Sequence, residues 1–106
     1  MNQPPSPIQQ LLDATNAGDS EAFLATFAED AVLIDFGRTV DGRTAISRWN
    51  SDENIGTSNQ IRVTTSHHDS DITTVGITVS GNGYNGPGAF TFTTNNAQIT
   101  RLDTTG

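Results

Sequence analysis

Ile8, Leu11, Leu12 and Thr15 recur at i, i+3, i+4 and i+7, the spacing of one face of an amphipathic helix. Ser6 suits the N-cap, Pro7 the first helical position, and Gln9 completes a capping box. Residues 1–5 read as a disordered lead-in, and Asn16-Ala17-Gly18 ends the helix with a glycine fit for a left-handed C′ position. Asp19 is placed to cap a second helix, with Glu21 in its first turn. Its apolar face is predicted to run through Phe23, Leu24, Phe27 and Ala28 until Glu29-Asp30 break it. Ala31 to Ile34 reads as a short buried strand leading into Asp35-Phe36-Gly37, with Thr39-Val40 pairing back on it. Asp41-Gly42 opens a third helix, Arg43 to about Trp49, with Ala45, Ile46 and Trp49 on one face. The polar stretch Asn50 to Asn59 reads as an exposed loop.

Beyond Gln60 the periodicity changes from helical to alternating. Eleven of the sixteen threonines lie between Gln60 and Gly106, which is strand composition. Ile61, Val63, Thr65 and His67 alternate to one face, and Val75, Ile77 and Val79 alternate in the next strand. Ser80 to Gly88 reads as a flexible loop, Phe90 and Phe92 mark a third strand, and Ala97 to about Asp103 a fourth, after a turn at Asn95-Asn96. Three N-terminal helices followed by strands define an α+β fold. The expected architecture is a cone-like, curved antiparallel sheet with the helices packed on its concave face, its mouth a natural ligand pocket.

Composition narrows the choices. At 106 residues the chain holds one domain, spanning residues 6–106, because two cores would leave only about 50 residues each. Cysteine is absent, which excludes disulfides, thiolate catalysis and Cys-based metal centres. Five arginines and no lysine stand against twelve acidic residues, a net charge of −7. Such a surface repels nucleic-acid backbones and anionic membranes, so neither is expected as a partner. No apolar run approaches the roughly 18 residues of a membrane span, and MNQPPSPIQQ lacks the basic start and apolar core of a signal peptide. A soluble, cytoplasmic domain of bacterial character is expected.

Among polar side chains Asp35 is the leading candidate. It ends an apolar strand and precedes Phe36, a setting in which a partly desolvated carboxylate suits a general base. His67 and His68 are adjacent and so point to opposite faces of a strand, which argues against a shared metal. His67 lies on the face of Ile61 and Val63 and is a candidate to meet a ligand there. Phe23, Phe27, Trp49, Phe90 and Phe92 supply the core and, where core and pocket wall are continuous, the ligand contacts. Gly81 to Gly86 spells G-x-G-x-x-G, but Pro87 and a strand follow where a phosphate-binding loop needs a helix. It is read as a hairpin loop whose Tyr84 covers the pocket mouth or a partner. No metal or organic cofactor is expected.

The stretches Asn16-Ala17-Gly18-Asp19, Phe27-Ala28-Glu29-Asp30-Ala31 and Asp41-Gly42-Arg43-Thr44-Ala45-Ile46 carry a family resemblance. They are similar to the pattern of the nuclear-transport-factor-2-like superfamily, closest to its SnoaL-like polyketide cyclases and ketosteroid isomerases. The resemblance runs from Ile8 to Leu102. It implies the cone fold and a homodimer through the sheet face, but the fold hosts enzymes and plain binders alike. It places the isomerases' proton-shuttling aspartate at Asp35. The tyrosine and acid of their oxyanion hole fall on Leu11 and about Gly88, so both donors are missing, and losing one typically costs about 100- to 1,000-fold in rate. Steroid isomerisation of the usual kind is therefore not expected. The cyclases' late acid has only Asp103 as a counterpart, and that role is not transferred.

Two functional expectations follow. One is a cofactor-independent isomerase, cyclase, lyase or hydrolase acting on a small apolar, polyketide-like or terpenoid-like molecule with Asp35 as general base. The other is a non-catalytic binder of such a ligand, or a dimerisation module of the same fold.

Overall fold

Helix α1, Ser6–Ala17, buries Ile8, Leu11, Leu12, Ala14 and Thr15 along one face, as its spacing predicts. The computed structural model describes residues 6–105; the predicted lead-in, residues 1–5, lies outside the described residues. The helix closes in a Schellman motif: Gly18 takes φ +71°, its N–H reaches the Thr15 carbonyl, and the Asp19 N–H reaches that of Ala14. Asp19 then accepts from the Ala22 N–H at 3.1 Å and starts helix α2, Ser20–Ala25. The Asn16 amide accepts from the Ile61 N–H and donates to the Ile61 carbonyl, holding α1 against the sheet as a strand backbone would.

Helix α2 is shorter than predicted. Thr26 ends it, donating both its N–H and its hydroxyl to the Phe23 carbonyl, and Phe27 begins strand β1, Phe27–Asp35. Phe23 and Phe27 therefore belong to different elements, although their rings stay 5.4 Å apart. The Ile99 N–H donates to the Thr26 carbonyl and Phe27 lies opposite Ile99. This distant strand pairing takes Phe27 out of the helix.

Strand β2, Arg38–Asp41, returns along β1. Helix α3, Arg43–Glu53, runs four residues beyond the predicted end at Trp49 and is followed by a 3-10 turn, Ile55–Thr57. The segment read as an exposed loop is buried in part, with Asn50 at 1% and Asn54 at 3% exposure. The Asn54 amide donates to Asn50 Oδ1 at 2.9 Å and the Asn50 amide to Ser20 Oγ at 3.1 Å, while Asn59 donates to Asn54 Oδ1 at 3.2 Å. Asparagines are buried here because their polar atoms find one another.

Strands β3, Gln60–Asp69, β4, Ile72–Ser80, β5, Gly86–Asn95, and β6, Gln98–Thr105, form the expected antiparallel meander. The open sheet has the order β2-β1-β6-β5-β4-β3, and β1 and β6 pair in parallel. The inner face carries Leu33, Val75, Ile77, Phe90, Phe92 and Leu102, which join the helices in one core. The outer face carries threonines, among them the cross-strand neighbours Thr74 and Thr91.

Candidate functional site

Between α3, the 3-10 turn and the inner face of β3, β4 and β5 lies a cavity of about 270 Å³. Ile61, Ile77, Val79 and Phe90 form an apolar wall. Asp35, Asp52, Glu53 and Asn54 lie on the polar side, while Phe36 and Tyr84 stand at the margin.

Asp35 is the last residue of β1, where the β1–β2 hairpin turns. Its side chain is 16% exposed. Three donors converge on the carboxylate: the Trp49 indole N–H at 3.1 Å and Arg38 Nη2 at 2.9 Å to Oδ2, and the Thr104 hydroxyl at 3.0 Å to Oδ1. They come from α3, β2 and β6, so helix, hairpin and neighbouring strand all fix it. A carboxylate offers about four acceptor positions. Oδ2 uses two and Oδ1 one, which leaves Oδ1 the open position.

Arg38 also donates to Glu53, bridging the two acids. Its guanidinium is held above the usual arginine range by the hydrogen bond and charge of Glu53, against the opposing effect of desolvation, with Asp35 adding a lesser push in the same direction as Glu53. It is therefore a cation at every working pH. Trp49 joins the site to the core, its ring stacked on Phe23 at 6.4 Å.

Of the residues singled out in the sequence, Asp35, Trp49 and Phe90 meet at this cavity, with Tyr84 at its margin. Phe23, Phe27 and Phe92 do not line it. Each is at most 1% exposed and packs in the core behind the wall. His67 is not on the Ile61 face. Ile61 and Val63 lie opposite Val79 and Ile77, but the pairing shifts by one residue between Val63 and Thr65. Beyond that bulge Ser66 and His68 lie opposite buried Val75 and Thr73, while His67 lies opposite exposed Thr74, on the outer face. His68 Nδ1 shares a hydrogen bond with the Thr73 hydroxyl at 2.8 Å. Among the described residues no three His, Asp or Glu side chains converge as metal ligands would.

The two positions matching the isomerase oxyanion hole supply no side-chain donor. Leu11 is core, at 1% exposure. Gly88 lines the cavity, but a Cβ there would stand 3.0 Å from the Thr105 carbonyl oxygen. Asp103 is held by Arg101 at 2.8 Å and lies on the outer face beside Thr91.

Sequence reasoning missed Thr104 and Arg38 as partners of Asp35. Thr104 is 69 residues away along the chain and is placed by the parallel β1–β6 pairing, in which it lies opposite Asp35. Arg38 was legible in principle, as the residue across a two-residue hairpin turn. A second, shallow depression of about 800 Å³ borders the start of α3. It mixes Glu29 and Asp41 with Arg43 and Arg48, and the Arg43 guanidinium already donates to the Phe27 carbonyl.

Three N-terminal helices on a curved, open sheet, with a cavity between the third helix and the inner sheet face, define the nuclear-transport-factor-2-like class of α+β domains. Residues 8–102 match the SnoaL-like domain family, and the chain belongs to it. A provisionally assigned polyketide cyclase from Sinorhizobium meliloti is 31% identical, with a TM-score of 0.88 over 95% of this chain and 94% of that one. A computationally designed 17-OHP binder, 21% identical, superimposes with a TM-score of 0.86 over 99% of this chain and 92% of that one. RV0760c from Mycobacterium tuberculosis, solved with estradiol-17beta-hemisuccinate, is 18% identical, with a TM-score of 0.81 over 96% and 93% of the two chains. No curated protein matches the sequence. Among the described residues no helix is long and apolar enough to cross a membrane.

Proposed function

We propose that the cavity binds a small, largely apolar molecule and that Asp35 acts on it as a proton acceptor, in isomerase- or cyclase-type chemistry. The observation that carries this reading is the Asp35 carboxylate on the cavity wall, gripped by three donors yet with one position of Oδ1 open. Fixed donors orient a base without consuming it. An apolar wall opposite suits a carbon skeleton.

The substrate class follows from what the wall lacks. Abstracting a proton from carbon leaves an enolate-like anion, and positions 11 and 88 offer it no side-chain donor. The substrate must then spread that charge itself. A carbon between two carbonyl groups does so, as in a polyketide-like β-dicarbonyl compound. The proton passes from that carbon to Asp35 Oδ1 and is returned at another carbon or oxygen. Arg38 compensates Asp35 while the carboxylate is charged.

A second reading, a non-catalytic binder, is favoured by a specific observation. The indole of Trp49 and the hydroxyls of Thr104 and Tyr84 all donate within the protein. The known ligand of RV0760c and that of the designed binder support either reading. The test is deuterium exchange at the acidic carbon of a cyclic β-diketone, followed by NMR with wild type and Asp35→Asn. An enzyme exchanges the proton faster than buffer and loses this in Asp35→Asn. A binder perturbs the same resonances in both forms and accelerates exchange in neither.

A further inference from the structure

Four large hydrophobic side chains are exposed among the described residues: Phe36, Val63, Ile72 and Tyr84. Two of them, Phe36 at 61% and Tyr84 at 49%, stand together at the cavity margin. Their ring centroids are 6.3 Å apart with the planes tilted by 59°. Both are held by turns that do not need an aromatic residue.

Phe36 is the clearer case. Asp35 pairs with Arg38, so Phe36 and Gly37 form a two-residue hairpin turn. Both take positive φ, +49° and +87°. Such a turn favours Asn-Gly, and a bulky side chain at positive φ is strained. An exposed aromatic ring on a strained backbone, beside the candidate base, is an outlier that points to a role in binding.

Tyr84 is braced from several sides. Its hydroxyl donates to the Pro87 carbonyl. The Asn85 amide donates to the Gly81 and Gly83 carbonyls, and its oxygen accepts from the Gly81 N–H. The Asn82 N–H donates to the Thr57 carbonyl at 2.8 Å, tying the loop to the segment that follows α3. The loop read from sequence as flexible is thus a hydrogen-bonded platform for one ring.

We infer that Phe36 and Tyr84 form an aromatic clamp over the cavity mouth, which selects flat, ring-bearing ligands of one or two fused rings. The inference rests on the cavity being a ligand site, as proposed above. A flat ring entering the mouth lies against the face of one side chain and meets the edge of the other, the arrangements aromatic pairs favour. The cavity, at about 270 Å³, is below the roughly 300–1,000 Å³ of drug-sized pockets, which sets the ring count. A hydroxyl on the ligand reaches the open position of Asp35 Oδ1, one residue from Phe36.

The test compares 2-naphthol with its saturated counterpart, decahydro-2-naphthol, by calorimetric titration of the whole chain. Wild type is expected to prefer 2-naphthol by about 3- to 10-fold. Phe36→Asn should erase that preference yet raise the melting temperature by a few degrees, because it relieves the turn. Tyr84→Leu, which keeps apolar bulk, should also erase the preference. An unchanged preference in both variants overturns the clamp while leaving the pocket standing. So does a Phe36→Asn variant that melts lower, or that shifts from dimer to monomer, with binding unchanged; the ring would then serve the fold or an interface. If neither probe binds wild type at millimolar concentration, the pocket reading falls and the clamp with it.

Discussion

The indole N–H of Trp49 lies 3.1 Å from Oδ2 of Asp35, while the same ring stacks on Phe23 in the core. One side chain therefore couples the position of the candidate base to the packing of α2 and α3. Trp49→Phe should keep most of the stacking and remove the donor. A loss of about 1 kcal/mol in unfolding free energy is expected, as for a single partly exposed hydrogen bond. Trp49→Ala should cost more, roughly 2–4 kcal/mol, and abolish ligand binding. Chemical denaturation and ligand titration on the same samples read both effects. Under the binder reading, Asp35→Asn leaves affinity nearly unchanged while Trp49→Ala does not.

Asn54 is 3% exposed and bonds Asn50 and Asn59 through its two polar atoms. Asn54→Ala leaves buried Asn50 Oδ1 with only the longer contact from the Ile55 N–H at 3.4 Å, and takes one acceptor from the half-buried Asn59 amide, which keeps the Glu53 carbonyl. The expected loss is about 2 kcal/mol, or roughly 8–16 °C in melting temperature for a domain of this size. Exposed Asp52, two residues earlier in the last turn of α3, supplies the control. Asp52→Ala should stay within about 0.5 kcal/mol. Equal effects in thermal melts would remove the argument for a buried amide network.

What the sequence makes legible here is local. Asn16-Ala17-Gly18-Asp19 ends one helix and starts the next with interactions no more than five residues apart, and the pattern shows it. Asp35 is legible too, through its place at the end of an apolar strand and through the family resemblance. The misreadings have distant causes. Phe27 has helical spacing from Phe23, but pairing with β6 makes it a strand residue. Asn50 and Asn54 look solvated until Ser20 and Thr15 are brought to them from 30 and 39 residues away. His67 alternates correctly with Ile61 in the one-dimensional pattern, yet a one-residue bulge reverses the face. The cavity itself is of this kind, because Asp35, Asn54, Ile61, Val79, Phe90 and Thr104 reach it from segments far apart in the chain.

Gly56 follows α3 inside the 3-10 turn, where a Cβ would lie 1.4 Å from the Ser51 carbonyl oxygen and 2.5 Å from its carbon. Those are backbone atoms of the last helical turns and have no room to yield. Gly56→Ala should therefore cost about 3 kcal/mol or more, or prevent folding. Gly83 is the contrasting case at the cavity rim, where the nearest atoms to an added Cβ belong to the Thr57 side chain, 3.6 Å or more away. Gly83→Ala should fold. Circular dichroism melts of the two variants decide the matter, and a stable Gly56→Ala protein would show that this turn can shift away from α3.

The outer face of the sheet offers the remaining prediction. Thr74 and Thr91 are neighbours across β4 and β5, and Thr93 faces Arg101 across β5 and β6. Threonine presents a methyl and a hydroxyl, so such a face can be solvated or can pair with a second copy. A stable pairing needs about 800 Å² from each partner, and each chain brings a net charge of −7. If the face is a dimer interface, light scattering should give twice the chain mass of 11.3 kDa. Added salt should tighten the dimer by screening the shared negative charge. Thr91→Glu would add like charge at the contact and yield monomers whose melting temperature, measured at dilution, is that of the wild-type monomer. A monomeric wild type at all concentrations and salt levels would assign the face to solvent, and the cavity would then have to work within one chain.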